Sequence, residues 1–369
     1  MKPSFPRNIL FFTLLMLLPW NLELIRENRV STDRLVSETH TEITNGSRGR
    51  PAEYEPLQNL PKMDRKIVFL RTDPAIDHLA ESRLPQGWSS VTLDPDPRIL
   101  LLKKIHRQRL ALELEATLPM VSPGTIMVTG SNNYHHFTWY SASKLLNSIP
   151  EDIPTTLILI DQHSDSRTGT SILMDCGSWL PWLLNENSRI SSAMIVGNMI
   201  KAEPGFNYSH WYGQKTSLTE PRFPRGKIAL IPAQDKLMYF GADTSFAEWS
   251  IKSTLPNKIL DIFGGTGEFI RFHTVTDLLK NPDLAERALL GHAVYISIDV
   301  DVLSGEFIET DWGNGLLSLQ QILELINVLS RSTIVGGDIT GYKVSESENP
   351  APGLKTFQKI LTALTNAMR

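Results

Sequence analysis

The chain has a single cysteine, Cys176, among 369 residues, which excludes an intrachain disulfide framework and any cysteine-rich zinc or iron–sulfur site. Metal ligands, if there are any, must be histidine and carboxylate. Sustained runs of lysine or arginine are missing and the formal net charge is −4, so nucleic acid is not expected as a partner. A membrane-length apolar run is missing too. Residues 9–20, ILFFTLLMLLPW behind Lys2 and Arg7, are too few to span a bilayer comfortably and resemble the charged and apolar regions of a secretion signal. No small-x-small cleavage site follows them, which weighs against secretion, and the rival reading is a helical extension docked on the body. The cytoplasm is favoured as the location, with secretion left open by the apolar segment 9–20. Membrane contact is expected only if residues 9–20 act as a signal or anchor.

What is present is a globular balance, 41% hydrophobic and 21% charged, in a chain long enough for one large or two modest domains. Residues 1–64 read as an N-terminal extension, the apolar segment followed by a polar linker punctuated by Asn45, Gly46, Gly49, Pro51, Pro56 and Pro61. Asn45 and Asn207 fit the glycosylation tripeptide, which matters only in a secreted chain. Residues 65–369 read as the folded domain. Strands are expected at 66–70, 124–130, 156–161, 191–197, 227–231, 293–302 and 333–335. Helices are expected at 98–118, 137–149, 278–290, 318–329 and 354–368, with a helix start at 178–184 interrupted by Pro181. Strands alternating with helices imply an α/β domain whose mostly parallel sheet is covered on both faces. Residues 201–225 read as an excursion at the sheet rim. The glycine-rich stretch 263–269, FGGTGEF, lacks the Lys-Ser/Thr ending of a phosphate loop and reads as a tight turn.

The chemistry gathers at strand ends. The buried-looking run Leu157, Ile158, Leu159, Ile160 breaks off into Asp161, His163 and Asp165. An extended backbone persisting past Ile160 would place those three side chains on one side. Two carboxylates that close repel unless a cation or hydrogen-bond donors compensate. The run AVYISIDVDV likewise ends in Asp299 and Asp301, and the 124–130 strand leads into His135 and His136. Each piece has a plainer reading, as a turn cap, a packed ring or a solvated pair. Together they would meet at the carboxyl edge of a parallel sheet, where ligand sites of such folds lie, and that coincidence points to a shared metal site.

These motifs resemble a known family. DQHSD (residues 161–165) matches the Asp-x-His-x-Asp motif, and SIDVD (297–301) the Ser-x-Asp-x-Asp motif, of the arginase, agmatinase and formimidoylglutamase superfamily of ureohydrolases. GSNNYHHFT (130–138) is similar to a diverged form of its Gly-Gly-Asp-His-Ser segment, and GGDI (336–339) to its last core strand. The likeness covers residues 124–341 in the family's order. It is closer to a divergent arginase-like branch with Asp-Gln-His and Cys-Gly-Ser-Trp segments, here residues 161–163 and 176–179.

The resemblance implies a three-layer α/β/α sandwich of the arginase/deacetylase kind, a homo-oligomer, and two Mn²⁺ ions. One ion would take His135, Asp161, Asp165 and Asp299; the other would take His163, Asp161, Asp299 and Asp301. Hard oxygen donors with two imidazoles suit such an ion, and an ion pair can activate water for attack on an electrophilic carbon. Asp165 is the candidate proton carrier. His136, Cys176, Ser178 and Gly341 are candidates on the substrate side, with His136 also the alternative to His135 as ligand. The departures concern substrate. The family's guanidinium-binding Glu falls at Gly341, its proton-shuttling His is replaced near Cys176 and Ser178, and a third acid falls at Ser304. The expected activity is therefore hydrolysis of a non-peptide C–N bond in a small amidine- or amide-like molecule other than arginine. The rivals are a single-metal deacetylase-like enzyme and a non-catalytic protein that keeps the metal site.

Overall fold

The computed structural model describes residues 57, 60–80, 84–100, 105–118, 121–165, 173–198, 228–233, 236–239, 242–245, 274–342 and 351–368. The apolar segment 9–20, both glycosylation tripeptides, the excursion 201–225 and the turn 263–269 lie outside these residues. No helix among the described residues is long and apolar enough to cross a membrane.

The described strands, in chain order, are β1 (Lys66–Leu70), β2 (Ser89–Leu93), β3 (Ile105–His106), β4 (Thr125–Val128), β5 (Thr155–Ile160), β6 (Leu173–Met174), β7 (Ile190–Asn198), β8 (Ile228–Pro232), β9 (Lys236–Tyr239), β10 (Ala242–Ser245), β11 (Ala293–Asp299) and β12 (Thr333–Thr340). Eight of them form one sheet in the order β2-β1-β4-β12-β11-β5-β7-β8, and its neighbours all pair parallel. A parallel strand must return through a crossover, and those crossovers cover both faces.

Alternation along the central strands fixes the layers. Ile158 and Ile160 of β5, with Val294, Ile296 and Ile298 of β11, pack in the core that includes the helices Leu319–Leu329 and Ala351–Ala367. Leu157 and Leu159, with Ala293 and Tyr295, face the opposite core, which takes in residues of the helices Arg107–Thr117, Thr138–Leu146 and Trp179–Glu186. The result is a three-layer α/β/α sandwich.

Several sequence expectations change, among them the strand over 293–302, which ends at Asp299 and passes into a 3₁₀ turn, Val300–Val302. The single helix over 98–118 is two, Pro97–Leu100 and Arg107–Thr117, because Ile105 and His106 instead pair antiparallel with β6. Only Leu110 and Leu114 of the second helix are buried, and Leu112 is 74% exposed. The helix over 278–290 is also two, Val275–Lys280 and Pro282–Ala288, with proline opening the second, where its missing N–H costs nothing. Pro181 does not interrupt its helix, since Trp179–Glu186 places it in the first turn. The strand over 333–335 runs on to Thr340. Gly336 and Gly337 belong to it because a Cβ on either would strike Leu145 or the Ile296 carbonyl. These glycines permit close packing and do not break the strand.

Candidate metal centre

The carboxyl ends of β4, β12, β11 and β5 are neighbours at the centre of the sheet, and the motif residues issue from three of them. Asp161 follows β5 directly. Its Oδ1 accepts the backbone N–H of His163 at 2.6 Å, a turn in which the side chain replaces a backbone acceptor. Asp299 ends β11 and does the same for the N–H of Asp301 at 3.0 Å. The chain therefore turns at Asp161, and the extended backbone expected past Ile160 is absent. Asp165 is reached through a left-handed backbone, φ 47°, and is held there by the indole N–H of Trp179 on its Oδ2 and by the N–H of Leu180 on its carbonyl.

His135 comes from the 3₁₀ helix Asn132–Phe137 that follows β4. Its Nδ1 lies 2.8 Å from Asp165 Oδ2, 3.3 Å from Asp299 Oδ2 and 3.4 Å from Asp161 Oδ2. His163 Nδ1 lies 3.0 Å from Asp301 Oδ2 and 3.6 Å from Asp161 Oδ1. All four acids are buried. The His163 side chain is 25% exposed, which makes it the most solvent-facing member.

The electrostatics are those of confined anions. Burial holds the Asp161 carboxyl well above the usual range, and Asp301 and Asp165 push it further. Burial and Asp299 raise Asp301. Burial also works on Asp299, but the His135 hydrogen bond and charge, the Asp301 N–H and the Asn132 amide outweigh it and hold that carboxyl below its ordinary value. Desolvation opposes a charge on both histidines, yet Asp165 and Asp299 raise His135, and Asp301 with Asp161 drives His163 up to about 12.

Two donor sets lie close enough to grip an ion, His135 with Asp161 and Asp299, and Asp161 with His163 and Asp301. They share Asp161. Its Oδ2 is buried with no hydrogen-bond partner, a cost that a cation at that atom would remove. The residues fit a divalent metal.

Of the candidates on the substrate side, His136 is buried beside His135 but neither ring nitrogen has a hydrogen-bond partner. Its ring packs edge-on against Phe137. Ser178 gives its hydroxyl to Asp175 at 2.6 Å and accepts the Asp175 N–H, and Cys176 is half-buried in the same turn. Gly341 abuts Asp299. Sequence reasoning missed Asn132, whose amide donates to Asp299 Oδ1 at 2.5 Å and Asp301 Oδ2 at 3.2 Å. It also missed Gln162, which ties the 310–314 loop to the centre through the Gly313 carbonyl, and the Trp179 hydrogen bond to Asp165. An amide beside a histidine pair carries little signal by itself.

No protein-family model matches the chain. A Thermotoga maritima protein described as uncharacterized is 34% identical over 107 residues, 27% of this chain and 41% of that protein, so the match spans less than half of the relative. Among solved structures, the chain is similar to a proclavaminate amidino hydrolase from Streptomyces clavuligerus at 14% identity, covering 84% of this chain and 92% of that one with a TM-score of 0.48. It is also similar to an arginase from Bacillus subtilis at 13% identity, covering 82% and 98%, TM-score 0.49. A formimidoylglutamase from Bacillus subtilis matches at 11% identity, covering 88% and 95%, TM-score 0.44.

Proposed function

We propose that this chain is a metal-dependent, ureohydrolase-like enzyme that hydrolyses a non-peptide C–N bond in a small amidine- or amide-like substrate other than arginine. The observation that carries the reading is the pair of donor sets sharing Asp161 with its unsatisfied Oδ2. His135, Asp161, Asp165 and Asp299 would hold one ion, and His163, Asp161, Asp299 and Asp301 the other. Oxygen-rich donors with two imidazoles favour Mn²⁺. When bound, such a pair lowers the pKa of water and polarises an electrophile. Two sets favour a binuclear centre over the single ion of a deacetylase-like enzyme.

The chain's own groups have distinct tasks. Trp179 orients Asp165, the group we assign to carrying the proton toward the leaving nitrogen. Asn132 spaces Asp299 and Asp301. Burial of the acids excludes bulk water and strengthens every charge interaction among them. Gly341 presents no carboxylate to a guanidinium, which supports a substrate other than arginine. A homo-oligomer is part of this proposal and is checked by light scattering.

The test is elemental analysis of protein purified with Mn²⁺ and desalted, beside an Asp161→Asn control, followed by a screen of amidines and amides. Two ions per chain, lost in the control, with turnover of one substrate class, is the expected result. Metal without turnover across the screen would favour a non-catalytic metal protein. No retained metal would end the hydrolase reading.

A further inference from the structure

Trp312 is 46% exposed, whereas Trp88, Trp139, Trp179 and Trp182 are half-buried or buried. Its ring is nevertheless fixed, because the indole N–H donates to Asn133 Oδ1 at 3.2 Å. The backbone on either side of it is fixed as well. The Asp311 N–H donates to Asn132 Oδ1 at 3.4 Å, and the Gly313 carbonyl accepts from the Gln162 amide at 3.0 Å. Asn132 and Asn133 open the 3₁₀ helix that delivers His135, and Gln162 immediately precedes His163. Two residues further on, the Gly315 N–H donates to the carbonyl of Asp301 at 2.6 Å. Residues 311–313 therefore bridge the two segments that deliver the two histidines. All three are exposed, so the bridge lies on the solvent side of the centre.

We propose that Trp312 is a specificity-determining residue of this site, an aromatic platform at its mouth that stacks on an aryl group carried by the amidine or amide substrate. The inference rests on the metal-centre reading above. An indole left half in water retains apolar surface that a ligand ring can cover, and offset stacking adds to that burial. A ring already held by its N–H has little freedom left to lose when a second ring is laid on it. Gly341 brings no side chain to the substrate, so recognition away from the reacting carbon falls to the rim. The acids at this rim are engaged by donors. Asp311 accepts the Ser131 hydroxyl and the Asn133 amide, and Asp73 accepts the N–H groups of Ser131 and Ala75. Leu316, four residues beyond Trp312 and 44% exposed, adds apolar surface to the same loop. These features favour an aryl group over a cationic tail, the other partner that an indole face accepts.

Benzamidine and acetamidine share the amidinium and differ in the ring, and they are the probes. Each is titrated calorimetrically into full-length Mn²⁺-loaded protein and its Trp312→Phe and Trp312→Ala variants, with metal content measured on every sample. Wild type should bind benzamidine about 10-fold more tightly than acetamidine. Trp312→Phe should keep most of that preference and Trp312→Ala should lose it, with metal content and acetamidine affinity unchanged in both. In ¹⁵N-tryptophan-labelled protein loaded with diamagnetic Zn²⁺, benzamidine and not acetamidine should shift the indole resonance that Trp312→Phe removes. A preference that persists in Trp312→Ala, no preference in wild type, or an unmoved indole resonance overturns the platform. So does tighter binding of 4-aminobutanamidine than of benzamidine that Trp312→Ala abolishes, which would assign a cationic tail instead. If Trp312→Ala does not fold, the wild-type resonance decides. Wild type that retains no metal defeats the metal-centre reading instead, and the same titrations on that protein still decide the platform, which fails if neither probe binds.

Discussion

Gly341 stands so close to Asp299 that a Cβ on it would lie 2.5 Å from the acid's Oδ1 and 3.0 Å from the Asn132 amide. Its φ of +99° is one that L side chains rarely adopt. The anchoring Glu of the resembled family therefore cannot be restored there by substitution. Gly341→Ala and Gly341→Glu should each cost about 2 kcal/mol or more, from backbone strain and displacement of Asp299, and should lower Mn²⁺ content. A thermal melt and elemental analysis check both. Arginine hydrolysis by Gly341→Glu would overturn the argument, because it requires the side chain to be accommodated.

Asp161 predicts an opposition between stability and metal binding. Its carboxyl is held above the ordinary value by burial and by Asp301 and Asp165. A folded pKa above the unfolded one means that the native state binds the extra proton. Stability without metal therefore falls as pH rises from about 4 toward the folded value. Asp161→Asn removes that loss. In EDTA its melting temperature should fall less than wild type between pH 5 and pH 8, whereas Mn²⁺ should stabilise wild type only. Parallel curves in EDTA would show that the acids do not repel one another as described.

The parts of this site that were legible in the sequence are those written in consecutive residues. Leu157 to Ile160 and Val294 to Ile298 read as buried strands because both faces are covered, and the acids at their ends stand out against the apolar runs. What escaped was made by contacts distant in sequence or by backbone that leaves the strand. Asp165 lies beside His135 through a left-handed residue and an indole hydrogen bond, a geometry that the alternation argument, which needs extended backbone, does not describe. The hydrogen bond from Ser297 to Asp338 could be seen only once β11 and β12 were known to pair in that register. β2, an edge strand with Ser89 and Ser90 exposed, has too little apolar patterning to announce itself.

Trp179 links the helix at 179–186 to the centre. Its ring is fully buried, 5.1 Å from that of His135, and its N–H satisfies Asp165 Oδ2. Trp179→Phe keeps most of the apolar contact but leaves a carboxylate oxygen without its donor. Losing a hydrogen bond to a charged group costs roughly 1.5–3 kcal/mol, and a smaller ring leaves a void besides. Denaturant unfolding should show at least that loss, and Mn²⁺ affinity should fall because the left-handed Asp165 is no longer held. Unchanged affinity in a folded variant would mean that Asp165 is positioned by its backbone alone.

His136 gives the acid limb of stability its shape. Burial lowers its pKa to about 4, with His135 acting in the same direction against Asp175. A folded value below the unfolded value near 6.5 means that the unfolded chain takes up the proton first. Stability is therefore lost as pH falls from about 6.5 to about 4, by at most roughly 3 kcal/mol. His136→Leu removes both the titration and two unpartnered nitrogens, and replacing such a group by an apolar one of similar size is close to neutral. The variant should match wild type within about 1 kcal/mol at pH 7 and hold its fold to lower pH, measured by circular dichroism in EDTA to keep metal release out of the signal. An unchanged acid midpoint would mean that His136 titrates alike in both states, which a ring sealed from water and hydrogen-bond partners should not do.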